Sequence, residues 1–431
     1  MDEDMSIVLQ KLTYKLRRVP EKSSAGFKIR KVPDHLRTEN VRAYEPQIIA
    51  IGPLNRHLLD YKTHLAEMEK HKVLFLQKLL QRRWEDLGKL ERYVVPMGKL
   101  EEKARSCYEE PLPKMCPSDF VEMMVLDACF IVELFRKFKL DQWDVDDVFR
   151  TSWVRKKLSR DLLLADNQLP MFLLQEFYDI TKMHWDQETD FRDLILGFFS
   201  KVLPVQLFKV STIRLSSDLD PNIKHLLGVI HNYVPLIKRP VPARAGNWNF
   251  IVCATNLKQA GIKFEKTEGE SLLSIDFDKA AGILKVPTLT IDDDTESFFR
   301  NISVYEQFFP IDEYAPFINY LKFMDSLINT AKDVELLCKN KILHNCLGDD
   351  EVVANMFNRL GDSVALPLYN FYGDIFHNVN EYCDRRCNRW IANLWHNYFN
   401  TPWTIISVFA AIFLLILTLT QTVFSVLAYF Q

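Results

Sequence analysis

Apolar positions along this chain recur with the period of a helix far more often than with that of a strand. Between Thr63 and Arg83, Leu65, Met68, Phe75, Leu76 and Leu79 share one helix side, opposite Glu67, Lys70 and Lys78. A second helix is expected to open at Ser118 or Asp119, with Glu122 completing a capping box. Its continuation, Met123 to Phe138, is apolar nearly all round and predicts a central buried helix. Leu162–Leu164 and Met171–Leu174 bracket the polar turn Asp166-Asn167-Gln168-Leu169-Pro170 as a further helix pair. Asn247 to Ala260 reads as a helix ended by Gly261. Helical spacing resumes after Asp294 or Thr295, includes Phe317 to Ile328, and breaks once near Gly348. Ile7, Val8, Leu12 and Leu16 predict a short amphipathic helix near the N-terminus.

One stretch has strand character. Ile262–Phe264, Leu273–Phe277 and Leu284–Ile291 alternate or are β-branched, with Gly269 and Gly282 between them, which predicts a small antiparallel meander. Residues 30–60, punctuated by Pro33, Pro46 and Pro53, read as irregular. The expected fold is therefore mainly α: a large helical domain with a small antiparallel β meander, plus one C-terminal transmembrane helix. The expected divisions are a variable segment over 1–29, a helix-rich domain over 30–400 and an anchor over 401–431.

The anchor expectation comes from Thr404 to Phe424, an uncharged run of the length that crosses a bilayer. Thr401 and Pro402 suit its first turn, and Trp403, Tyr398 and Tyr429 suit the interfaces. Trp403, Ile405, Phe409, Phe413, Leu417 and Phe424 are the residues expected to meet lipid. Arg385, Arg386 and Arg389 precede the run and no charge follows it, so a single-pass, tail-anchored protein with a cytosolic domain is expected. Thr418, Thr420, Gln421 and Thr422 suit either the far interface or a partner helix.

Charge narrows the classes of function. With 54 basic and 57 acidic residues the formal net charge is -3, which gives no footprint for nucleic acid. Glycine is scarce, at 13, and no GxGxxG or GxxxxGK[ST] loop is present, so no phosphate-bearing cofactor is expected. No GxSxG or HExxH appears either. His57, His64 and His71 stand seven apart, too far along a helix to share one metal. Eight cysteines are scattered without a framework; Cys129 reads as core, and Cys383 and Cys387 lack a second ligand pair. The sequence contains no catalytic motif, and no enzyme is expected.

One set of residues could still carry chemistry. Asp127 and Glu133 lie inside the apolar helix, and Asp161 and Asp166 flank another apolar run. Buried carboxylates are costly unless paired. They serve either general acid–base work or structure, by capping helices or pairing with Arg136, Lys137, Arg155 or Arg160. Asn301-Ile302-Ser303 is a glycosylation sequon that would matter only if the domain were luminal.

In order along the chain, several segments carry a family resemblance. They are Tyr44-Glu45-Pro46 into Ile51-Gly52-Pro53, then Met68 to Lys72, Val125 to Phe135 and Asp161 to Pro170. Ala260 to Phe264, Phe299 to Ile302 with Glu306-Gln307, Asp325 to Thr330 with Asp333, and Tyr398 to Trp403 follow. In these the chain resembles the plant family called domain of unknown function 247. Two departures stand out: Asp166-Asn167-Gln168-Leu169-Pro170 replaces the family's Glu-Asn-Gln-Pro-like text, and the histidine after Ile-Gly-Pro is delayed to His57. The resemblance implies a land-plant protein with a helical domain, a membrane anchor and no established catalysis. Some relatives act in pollen–stigma self-incompatibility in grasses, which implies recognition or signalling. The expected partners are membrane lipid through the C-terminal helix and a protein of unknown identity.

Overall fold

In the computed structural model, the described residues are 7–8, 11–14, 28–82, 90–109, 112, 114–141, 148–183, 189–203, 223–233, 248–267, 271–308, 315–362, 364–384 and 402–429. One large apolar core runs from Ile29 to Val379, and a small second cluster joins Ala315, Ile318 and Val364. Its axis is the helix the sequence marks as apolar all round. The elements on the N-terminal side are α1 (Thr63–Arg82), α2 (Glu91–Lys99), α3 (Glu101–Ser106) and α4 (Pro117–Leu140), followed by α5 (Ser152–Asp161), α6 (Met171–Ile180), α7 (Phe191–Val202) and α8 (Leu226–Tyr233). Every residue of α4 from Met123 to Lys137 is buried, with α1, α2, α6 and α7 packed round it. The predicted capping box does not start α4. Pro117 takes the first helical position and the Cys116 thiol accepts from the Asp119 N–H at 3.4 Å. Phe75, Phe130 and Phe149 close together between α1 and α4, with centroids 4.9 to 5.5 Å apart.

The C-terminal half comprises α9 (Ala254–Gln259), β1 (Lys263–Thr267), β2 (Asp276–Asp278), β3 (Ile283–Pro287), β4 (Leu289–Ile291), α10 (Thr295–Gln307), α11 (Pro316–Leu327), α12 (Ala331–Lys339), β5 (Leu343–Asn345), α13 (Asp350–Asp362) and α14 (Gly373–Asp384). Gly261 ends α9 at φ +91°, as its sequence suggests, but α9 starts at Ala254 and not at Asn247. Asp333, on α12, sets that start by accepting the Thr255 N–H at 2.8 Å. The strands do not form an antiparallel meander. β3 lies between β1 and β2, parallel to β1 and antiparallel to β2. The long β1–β2 connection allows this order, because it need not close a hairpin. Thr288 interrupts the third predicted strand, and β4 pairs in parallel with β5, which lies 54 residues downstream of it.

The C-terminal segment corrects the sequence reading. A helix, α15, does form over Pro402–Tyr429. Among the described residues, however, no helix is long and apolar enough to cross a membrane. Thr418, Thr420 and Thr422 turn their hydroxyls back onto carbonyls one turn earlier, at 2.7 to 2.8 Å. Phe409, Phe413, Leu417 and Phe424 are exposed, and the side chains of Trp403 and Ile405 lie outside the described residues. The transmembrane element, its lipid contact and the tail-anchored, single-pass localisation are thus not supported. Arg385, Arg386, Arg389 and Cys387 also fall outside the described residues.

Candidate functional site

Two loops meet in the middle of the domain, and neither has a strand ladder to satisfy its amides. The first is the proline-bounded stretch from Pro46 to Pro53; the second is the turn from Asp161 to Pro170 that joins α5 to α6. Buried N–H groups outside regular structure need other acceptors. The predicted carboxylates supply most of them. Asp161 Oδ2 accepts three successive N–H groups, from Gln47, Ile48 and Ile49, at 2.9, 2.6 and 3.1 Å. Its Oδ1 takes the Arg160 guanidinium at 2.7 Å, and Arg160 reaches on to the Glu45 carbonyl at 3.0 Å. Asn167 acts as a substitute strand: its Oδ1 accepts from the Ile51 N–H at 2.7 Å and its Nδ2 donates to the Ile49 carbonyl at 3.1 Å.

Asp127 reaches this joint from α4. One oxygen accepts the Gly52 N–H at 2.8 Å and the other meets Lys72 Nζ at 2.5 Å. Lys72 is fully buried and also donates to the Ala50 carbonyl at 2.6 Å. Gly52 has φ +70°, and a Cβ there would stand 2.6 Å from the Gln168 carbonyl oxygen. Tyr108 donates to the same carbonyl at 2.9 Å, and Gln168 spans the Leu162 and Leu164 carbonyls, each at 2.8 Å. Asp166 pairs with Arg37 and accepts from Asn55 at 3.3 Å. Burial raises the carboxyl pKa of Asp127, Asp161 and Asp166, against the pull of Lys72, Arg160 and Arg37 respectively.

Glu133 stands apart from that joint. It pairs with Arg82 and, at 2.8 Å, with Arg136, which also donates to Thr181 at 2.9 Å. The four carboxylates therefore do not converge on one solvent-reached space; each holds a different pair of segments together. Asn301 is also structural. It is buried, donates to the Ala43 and Ser297 carbonyls at 2.9 and 2.7 Å, and accepts from the Ala165 N–H at 2.8 Å. A glycan on Nδ2 would take one of the two hydrogens that make those donations, and it would have to be housed at a buried position. The His57 ring meets the Leu54 carbonyl and His71 packs edge-on against Phe149. No cluster of metal-binding side chains occurs among the described residues.

The concavity lies on the other side of the same helices. A groove of about 800 Å³ is bounded by α1, α2, α3 and the first half of α4. Val73, Leu76, Val94, Val121 and Val125 give it an apolar lining, and a Cβ at Gly98 would meet no atom within 4 Å. Lys99, Glu101, Glu102 and Glu122 form its charged edge; Glu101 is shared with Arg105 at 2.5 Å. Sequence reasoning missed both this groove and Lys72. The signal for Lys72 was present: it falls on the same helical stripe as Leu65, Met68, Leu76 and Leu79. The groove had no comparable sign, because its walls come from four separate helices.

A family model described as a plant protein of unknown function, DUF247, matches residues 29–417, a span that begins with the first core residue. The chain belongs to the DUF247 family. Two Arabidopsis thaliana proteins are similar to this DUF247 chain across most of their length. UPF0481 protein At3g47200 is 28% identical over 426 residues, covering 93% of this chain and 86% of that protein. Putative UPF0481 protein At3g02645 is 21% identical over 484 residues, covering 90% and 88%. No solved structure matches.

Proposed function

We propose that this DUF247 domain is a non-enzymatic interaction module that receives an amphipathic helix with a basic flank in the groove between α1, α2, α3 and α4. The carrying observation is that groove: an apolar trough about 800 Å³ in volume with three glutamates and one lysine at its edge. A helix laid in such a trough buries its apolar stripe and sets basic side chains against the glutamates. Recognition or signalling is the kind of role such a groove serves. An enzyme built on Asp127, Glu133, Asp161 and Asp166 would need these groups to face reactive atoms. Their oxygens instead face amides, Lys72 and arginines inside the protein, which supports the binding reading over the catalytic one.

The test is fluorescence anisotropy with a labelled synthetic helix bearing leucines four apart and lysines along one flank, titrated onto the full chain. Saturable micromolar binding, weakened at least about tenfold by Val94→Asp, is expected. Binding that is absent, or indifferent to Val94→Asp and to added salt, would overturn the proposal.

A further inference from the structure

We infer that Gly98 selects the helix that enters the groove. The space over Gly98 seats a bulky aromatic side chain of that helix, and the position one turn beyond, toward Glu102 and Glu122, is basic. This selection rests on the groove reading above and specifies the partner's chemistry.

Two other glycines have a local reason to be glycine. Gly52 has a positive φ, and a Cβ on Gly361 would stand 2.3 Å from the Asp325 carboxyl. Gly98 has neither reason: its φ is not positive, and a Cβ there would meet no atom within 4 Å. Gly197 shares that freedom, but it lies on α7 and does not line the groove. Inside α2 a glycine weakens the helix, so what Gly98 contributes is room.

That room lies where the groove changes character. Leu90, Val94 and Gly98 stand four apart along α2 and its N-cap, and all three border the groove. This wall therefore steps down from leucine to valine to bare backbone. The other walls carry Pro117, Val121 and Val125, four apart on α4, and Val73 on α1. Short walls around a gap suit one large flat side chain, and aromatic anchors dominate binding at such places. Just past Gly98 come Glu101 and Glu102 of α3. Arg105, paired with Glu101 at 2.5 Å, lies over the Phe120 ring at 4.3 Å, which ties α3 to the first turns of α4, where Glu122 stands. Arg105 meets the Glu101 charge, whereas Glu102 and Glu122 are exposed. A cation one turn past the anchor meets this acidic end. Helices carry cations most favourably toward their C-terminus, so the basic residue follows the aromatic one in the partner.

The experiment titrates versions of the labelled helix of the preceding test onto the full chain and onto its Gly98→Leu and Gly98→Ala variants. The central leucine of the helix is kept, or replaced by tryptophan. On the unaltered chain the tryptophan version should bind about tenfold tighter than the leucine version. Gly98→Leu should fill the gap and shrink that preference to within about twofold, and Gly98→Ala should reduce it about threefold. Both variants should unfold in urea at or above the midpoint of the unaltered chain, because the added atoms enter open space and favour the helix. A further version, with its lysines one turn before the tryptophan instead of one turn after it, should bind about fivefold more weakly. Equal binding of the tryptophan and leucine versions to the unaltered chain would overturn the role of Gly98 and leave the groove reading standing. A preference that survives both Gly98 variants, or indifference to the lysine position, would do the same. No binding of any version to the unaltered chain would overturn both.

Discussion

Lys72 and Val73 are neighbours on α1, and Leu126 and Asp127 are neighbours on α4, yet each pair faces two different worlds. Lys72 and Asp127 point into a joint where the ammonium meets a carboxylate and a carbonyl and two loops are locked face to face. Val73 and Leu126 belong to an apolar groove with space left in it. The same two helices therefore carry a closely specified joint on one side and an open groove on the other. In a low-dielectric interior a charge tolerates almost no change of partner, so the joint fixes one arrangement. An apolar wall imposes no such directionality and can accept a range of side chains. Rigid support behind a permissive face is a sound arrangement for a binding surface.

The largest effect should come from splitting the buried pair. Asp127→Ala leaves the Gly52 N–H without its acceptor and the Lys72 ammonium with only the Ala50 carbonyl and Glu69, and should destabilise the domain by about 3–4 kcal/mol. Urea denaturation measures it, and Lys72→Met/Asp127→Leu should recover much of the loss. A fully additive double-mutant cycle would mean the joint does not act as a unit. Next, Gly52→Ala meets both a positive φ and the Gln168 carbonyl and should cost about 2–3 kcal/mol in the same measurement.

A pH effect of about 2 kcal/mol should follow, again on the joint's side. His225 precedes α8, whose Leu227 N–H donates to Gln168 Oε1 at 3.3 Å. Burial, with a smaller push from His231, lowers the His225 pKa from 6.5 to about 3. The unfolded chain then binds the proton first, so stability from this group is full above about pH 6.5 and falls as the pH drops towards 3. Between pH 7.5 and 5 the loss should be about 2 kcal/mol, and His225→Gln should flatten the slope by that amount. An unchanged slope would remove His225 from the account. The smallest effect on stability belongs to the groove: Val94→Asp should shift unfolding by less than about 1 kcal/mol while abolishing helix binding. A large loss of stability there would show that the groove wall is core, and the contrast between the two faces would collapse.

Much of the scaffold was legible beforehand. α1 starts at Thr63, where its spacing places it, and the apolar run Met123 to Phe138 is indeed the buried axis of the domain. Both follow from periodicity, a local property. The carboxylates were legible as expensive residues, but not as to use, because a carboxylate's role depends on what lies opposite. Asp161 lies 112 to 114 residues from the amides it holds, and Asp127 lies 55 from Lys72. The sheet order was likewise out of reach, since β1 could have paired with either later strand on pattern alone. The anchor reading rested on hydropathy over a window, and among the described residues no helix is long and apolar enough to support it.

By itself, then, the sequence determined the helical class, the burial of α4, the family, and the presence of charges that would need partners. Those properties are written in spacing and composition over a few turns of chain. Only the tertiary structure decided that Lys72 meets Asp127, that Asp161 holds the loop after Pro46, and that four helices leave a groove. Each of these joins segments distant in sequence, and the energy of a buried charge or an open wall is set by the neighbours folding brings to it.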